Sequence, residues 1–339
     1  MVWQGRAANR SPYADFQVMK ISIFRLVLLG LTSLIPVALL AILIFLTRYS
    51  WSAILFNGVH FLLGKTWDLG NLYANPVMVH GLSVPVGANY GILVFIVGTL
   101  ATSLIALLLA VPVGLGVAIF LAEGVPPRLR PALSLIVELL AGVPSVVYGL
   151  WGFAVLIPFV AHHLAPALAH LLGSIPFFAG PVGSGYGLLS SSLVLALMVV
   201  PVITATVSEA LQGISREAKE AAYALGAMRF EVVWKAMLPM IRTSLIGAII
   251  LGLGRALGET MAVLMLSGGA LNYLPNNIYS PISTMASFIA SQLDSALGDP
   301  TGMAVRSLAE IALVLFLIAV IVNIIARLLT GGFGRAVHN

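Results

Sequence analysis

Gly187 to Ser208 reads GLLSSSLVLALMVVPVITATVS, and it closes a stretch without one charged side chain that begins at Leu139. A helix rises about 1.5 Å per residue, so about 20 apolar residues cross a hydrocarbon core of about 30 Å. Similar charge-free runs occupy 26–47, 69–122 and 260–293. Charged residues make up only 9% of the 339-residue chain and hydrophobic ones 60%, against roughly 25% charged in soluble proteins. Such a chain cannot clothe a soluble surface, and it reads as a polytopic membrane protein. The runs are continuous rather than alternating, which excludes a β-barrel and leaves helices whose backbone bonds are internal. The expected class is all-α, with six spans near 26–47, 91–121, 132–160, 187–208, 244–270 and 306–329.

Charge sets the expected sidedness. With the N-terminus inside, Arg6, Arg10, Lys20, Arg25, Arg128, Arg130, Arg216, Lys219, Arg229, Lys235, Arg242, Arg327 and Arg335 all fall inside, 13 of the 17 basic residues. Arg48, Lys65 and Arg306 fall outside and Arg255 lies within a span. That bias predicts both termini in the cytoplasm, and it accounts for the net charge of +5 without nucleic acid. The expected organisation is a cytoplasmic segment 1–25, an uncleaved first span 26–47, an outer loop 48–90, a transmembrane core 91–330 with a cytoplasmic segment 209–243, and a tail 331–339. The long outer connections 48–90, 161–186 and 271–305 are rich in Gly, Pro, Asn and aromatic residues. They read either as plain loops or as a cover over the bundle mouth. Pro112, Pro144, Pro158 and Pro201 should kink their helices.

Several motifs fail on spacing. Gly64-Lys65-Thr66 needs a glycine at Val59 to form a phosphate loop, and the glycine is Gly58. Gly252, Gly254 and Gly258 miss dinucleotide-binding spacing by one residue; Gly254 and Gly258 suit close helix packing instead. His162, His163 and His170 lack acidic or cysteine neighbours, so no metal site is expected. Cysteine is absent, which removes disulfides and thiolate chemistry. No hydrolytic nucleophile motif appears, so no enzymatic activity is expected of the chain.

The segment 209–243 holds Glu209, Arg216, Glu217, Lys219, Glu220, Arg229, Glu231, Lys235 and Arg242. Ser215 can cap a helix whose first turn carries Glu217. Ile214, Ala218, Ala221, Ala222 and Leu225 recur on one face, and Gly226 suits a left-handed stop. A second short helix over roughly 229–237 should end at Pro239. The pattern reads as a helical hairpin with a small apolar face, either a docking element or an amphipathic surface helix.

Glu220-Ala221-Ala222, Gly226 and Leu238-Pro239 stand at the spacing of the EAA loop of ABC importer permeases, with Ala236 where that loop usually has Ile. The stretches Glu138-Leu139-Leu140-Ala141-Gly142-Val143-Pro144-Ser145-Val146-Val147-Tyr148-Gly149 and Gly252-Leu253-Gly254-Arg255-Ala256-Leu257-Gly258-Glu259-Thr260-Met261-Ala262-Val263 resemble the PstC-type permeases of phosphate importers. Gly98-Thr99-Leu100 and Asn323 fit the same pattern, which covers roughly residues 90–330.

The resemblance implies a type I ABC importer permease in a bacterial inner membrane, binding no cofactor itself. It implies as partners a second, PstA-like permease, two PstB-like ATPase subunits that use ATP and Mg, and a PstS-like phosphate-binding protein. Glu220, Ala221, Ala222, Gly226, Leu238 and Pro239 would couple to the ATPases. Arg255, the basic residue deep in a span, and Glu259, four positions on, would line the phosphate pathway. Burying an Arg costs on the order of 2.5–3.5 kcal/mol on insertion scales, so a bare Arg255–Glu259 ion pair on one helix face is the other expectation. A permease for another oxyanion, or an ion-coupled carrier using Glu138, Glu259 or Glu310, is the alternative function.

Overall fold

The computed structural model describes the backbone of residues 12–334 and most side-chain surroundings from Phe24 to Ile325. The ends of the expected terminal segments, 1–11 and 335–339 with Arg6, Arg10 and Arg335, lie outside the described residues. The chain divides between Tyr49 and Ser50 into two units.

Helix α1, Pro12–Asn57, contains the first apolar span, Phe24–Asn57. It runs ten residues beyond the expected 47, because the lone Arg48 is followed by more helix-compatible apolar sequence, and it stops at Gly58 with φ +54°. The following loop holds two small antiparallel pairs. β1 (Trp67–Asp68) pairs with β4 (Asn89–Tyr90), and β2 (Val77–Val79) with β3 (Leu82–Val84).

Helix α2, Leu93–Ile119, widens into a π-helical turn over Phe120–Gly124. The expected third span is not one helix. Helix α3, Arg130–Ala141, ends at Gly142, and a new helix, α4, runs Ser145–Leu172 with two further π-helical turns. The break follows from Pro144, which pushes Val143 out of helical geometry, so the span lies about a dozen residues further along than hydropathy placed it.

Helix α5, Leu188–Gln212, is the centre of the fold: 72% of its most apolar window is buried, against 33% for the span containing α2. Small residues let α2 approach it. A Cβ on Gly114 would stand 3.0 Å from the Ile203 side chain, and Thr204 Oγ1 donates to Gly114 O at 3.2 Å. Ala106, Ala110, Val199, Ile203 and Val207 fill this seam.

Helices α6 (Arg216–Ala224) and α7 (Arg229–Met240) form the hairpin. The second helix does not stop at Pro239. Val232–Met237 is a π-helical turn, which removes the need for a donor at Pro239, and the chain turns by 75° only at Ile241, into α8 (Arg242–Gly258). The expected fifth span is also divided: α8 ends before Glu259-Thr260, and α9, Met261–Leu266, follows. Helix α10, Met285–Leu297, lies within the expected outer loop 271–305, and α11, Met303–Gly334, contains the last span. Among the described residues five helices are long and apolar enough to cross a membrane, and six when α7 and α8 count as one bent span.

The loop before α10 is a built cover. Asn277 Oδ1 accepts from Tyr279 N and Ser280 Oγ, and Asn277 Nδ2 donates to Ala179 O. The carbonyls of Ser280 and Ile278 accept from Leu188 N and Leu189 N, so they cap the open amides of α5. Ile282 N donates to Ser267 O, which ties the same loop to the end of α9. Beneath it Phe95 stacks on Phe288 with centroids 3.8 Å apart, and Trp67 meets Phe288 edge-on at 5.0 Å.

Candidate functional site

The hairpin is built as its residues dictate. Ser215 Oγ accepts from Ala218 N, closing the first turn of α6. Hydrogen bonds from its own backbone and from Ser215 hold the Glu217 carboxyl below its ordinary value. Gly226 adopts φ +83° with open space around a would-be Cβ, so what excludes other residues is conformation rather than room. Glu231 Oε2 accepts from Met228 N, and Lys235 Nζ sits 2.7 Å from Glu231 Oε1; with the Lys235 bond the larger cause, these lower the Glu231 carboxyl too.

The motif residues divide by role. Glu220, Ala221, Gly226 and Pro239 are exposed, whereas Leu238 is buried and Ala222 packs against the core. Between the two helices lies a groove of about 280 Å³ lined by Ala222, Leu225, Gly226, Val232, Lys235 and Ala236. An Ile at 236 would put three more carbons into it. Its rim is apolar and uncovered: Leu225 is 90% exposed, Met228 75% and Phe230 70%, and Trp234 stands beside Phe230 with ring centroids 5.7 Å apart. Bare apolar groups of this size concentrated on one hairpin suit contact with another protein or with a lipid surface.

The second candidate is the meeting of the two broken spans. Gly149 of α4 lies against α9, where its Cβ would stand 3.2 Å from Ala262 Cα. At the end of α3, Gly142 N reaches Glu138 O and Leu139 O, and Val143 N reaches Leu140 O only at 3.4 Å, so the last two carbonyls have acceptor capacity to spare. Tyr148 OH donates to Leu140 O at 3.0 Å, and Arg255 turns both Nη1 and Nη2 toward Ala141 O at 3.4 Å. Those two contacts are long, so the half-buried guanidinium is held loosely and its fork remains available for another acceptor. The expected ion pair is not formed. Glu259 has left the helix, with ψ 124°, and the Arg255 fork turns to Ala141 O instead. The i,i+4 spacing places two groups on one face only while both are helical.

Of the other acids, Glu310 is buried and accepts from Asn57 Nδ2 at 2.8 Å, while Glu138 lines a cavity of about 630 Å³ with Arg130, Ser134, Ser208, Glu209 and Gln212. Sequence reasoning passed over Glu123. Its visible signal is that it ends the charge-free run from 69 to 122 just before Gly124-Val125-Pro126-Pro127.

Residues 114–338 match the family described as "Binding-protein-dependent transport system inner membrane component". The chain belongs to that family. Among its relatives, "Phosphate transport system permease protein PstC 1" of Mycobacterium tuberculosis is 49% identical over 278 residues, 81% of this chain and 82% of that one. The Haemophilus influenzae "Phosphate transport system permease protein PstC" is 40% identical over 87% of this chain and 88% of its own. "Probable phosphate transport system permease protein PstC" of Methanocaldococcus jannaschii is 38% identical over 71% and 75%. In this inner membrane component the matched region takes in the hairpin and the junction around Arg255.

Proposed function

We infer that this chain is the permease subunit of an ATP-driven importer of inorganic phosphate. The observation that carries the substrate is 49% identity, across most of both chains, to a protein named as a phosphate transport permease. The hairpin supports the energy source: an uncovered apolar groove on a short helical pair suits a separate motor protein better than an ion gradient. The chain forms half of the pathway, beside a second permease subunit, in a complex with two ATPase subunits, one of them docked on this hairpin, and a phosphate-binding protein at the opposite face. It binds no cofactor itself, and ATP and Mg are used by the ATPases. It lies in the bacterial inner membrane with both termini and the hairpin in the cytoplasm, the arrangement the basic residues favour.

In this reading Glu220, Ala221, Ala222, Gly226, Leu238 and Pro239 form or support the ATPase contact. Leu225, Met228 and Phe230 add its apolar rim. Arg255 offers a planar donor fork to a passing phosphate oxygen. Its weak hold on Ala141 O keeps the fork aimed without trapping the anion, and Glu259, freed from the helix, lies close in sequence to tune that charge. The test is uptake of labelled phosphate, sulfate and molybdate by vesicles containing this chain with its co-purified subunits. ATP-dependent phosphate uptake that exceeds that of the other anions is expected. Preference for another oxyanion overturns the substrate, and uptake by ATP-depleted vesicles under an imposed proton gradient overturns the motor.

A further inference from the structure

Three basic side chains close on the widened last turn of α2. Lys219 Nζ of α6 lies 2.6 Å from Glu123 Oε1. Arg229, at the start of α7, donates through Nη2 to Glu123 O at 2.9 Å, and Arg130, at the start of α3, donates to Ala122 O at 2.6 Å. The Lys219–Glu123 pair is about four-fifths covered, with side-chain exposures of 21% and 23%. Cations at a helix C-terminus satisfy its open carbonyls and oppose its dipole. Capping accounts for Arg130 and Arg229, which meet backbone carbonyls, but not for Lys219, which meets a carboxylate.

What capping leaves unexplained is that both arms of the hairpin grip one residue, from opposite sides of the Gly226 turn. Lys219 holds the Glu123 carboxylate, and Arg229 holds its backbone. A hairpin so tied cannot shift without carrying Glu123, and hence the end of α2, along. Helix α2 in turn is locked to the central helix α5 through Gly114 and Thr204. The hairpin has two covalent routes to the bundle, the short link 213–215 from α5 and the 75° bend at Ile241 into α8, and neither of them leads to α2.

We propose that Glu123 is the positioning residue through which movement of the ATPase-docked hairpin is delivered to the second span, with Lys219 and Arg229 as its two grips. This rests on the reading of the hairpin as the ATPase dock. A covered ion pair between two elements transmits displacement in either direction, because separating the charges leaves each in a poorly solvated place.

The experiment uses the whole complex in proteoliposomes and reads phosphate moved per ATP hydrolysed, together with ATPase retained on purification. Glu123→Gln and Lys219→Met are each expected to lower the transport ratio about tenfold with the ATPases retained and hydrolysing. The exchange Glu123→Lys with Lys219→Glu should recover at least half of the ratio, since it rebuilds the pair with reversed charge. An unchanged ratio in the single variants overturns the proposal, as does a double exchange no better than the singles. Loss of the ATPases from the single variants overturns it too, by assigning the pair to docking. Failure of the docking reading itself is seen separately: a Leu225→Asp chain would then keep its ATPases at the parental level.

Discussion

Gly98 is a position where two physical effects oppose each other and the structure decides between them. Gly98 lies inside α2, where replacing Gly by Ala favours the helix by about 1 kcal/mol. A Cβ at that position, however, would stand 2.2 Å from Ser283 O, a backbone atom of the cover loop. A carbon and an oxygen out of hydrogen-bond geometry need roughly 3.2 Å, so the loop must retreat by about 1 Å, an overpacking cost of about 1–3 kcal/mol. The retreat also stretches the bond from Met285 N to Thr99 Oγ1, now 2.8 Å, which is worth about 1 kcal/mol. The net is a destabilisation of about 2 kcal/mol, or roughly 4 °C in midpoint at about 2 °C per kcal/mol. The assay is thermal unfolding of the purified complex in detergent, with Gly116→Ala as comparison, since a Cβ there meets nothing within 4 Å. A Gly98→Ala midpoint equal to or above that of Gly116→Ala would refute the argument that this close approach requires glycine.

Four further outcomes follow from the same structure. The chain has no cysteine, so a cysteine introduced at Asn276 should react with an impermeant thiol reagent from outside intact cells while one at Lys219 should not; the reverse pattern inverts the topology. Gly226→Val forces a β-branched residue to φ +83°, a strain of order 1–3 kcal/mol, and should weaken ATPase retention on purification while membrane insertion persists. Arg255→Gln should reduce phosphate uptake at least tenfold with assembly and basal ATP hydrolysis intact; wild-type uptake removes Arg255 from the pathway, and loss of assembly leaves it only the role of holding the end of α3. Because the folded Glu231 carboxyl lies below its ordinary 4.5, its contribution is present above that value and lost as pH falls through the lower folded one. The protection of the Met228 amide, taken as its exchange rate relative to the unprotected rate at the same pH, should therefore fall in that acid window and not near neutrality.

The sequence was most legible where hydrophobic content and backbone geometry agree. The spans near 91–121 and 187–208 correspond to α2 and α5, because an uninterrupted apolar run bounded by charge has few other solutions in a membrane. The third span was misplaced and the fifth was read as unbroken because hydropathy counts side chains and is blind to φ and ψ. Gly142-Val143-Pro144 and Glu259-Thr260 break the helix inside stretches that remain apolar on both sides. In the hairpin, Ser215 and Gly226 were readable since each acts locally. The passage of α7 through Pro239 was not, because it depends on the π-helical turn that precedes it. Glu123 was invisible for a different reason: its partners Lys219 and Arg229 lie about a hundred residues away, and an ion pair across that separation leaves no pattern in a single chain. Counted by side, those two had been only cytoplasmic charge.

The break after α8 has a consequence for the energy stored across the membrane. The 17 residues of α8 rise about 26 Å, short of the roughly 30 Å of a hydrocarbon core. Beyond Glu259-Thr260 only the six residues of α9, about 9 Å of helix, remain before the glycines at 268 and 269. A cell that lives on its proton gradient cannot tolerate a standing thread of water at such a gap. The insulation there falls to α9 and the cover loop that is hydrogen-bonded to its end. Any displacement that opens a route for an anion must therefore be brief and be followed by resealing of that loop, or the importer would discharge the membrane it sits in.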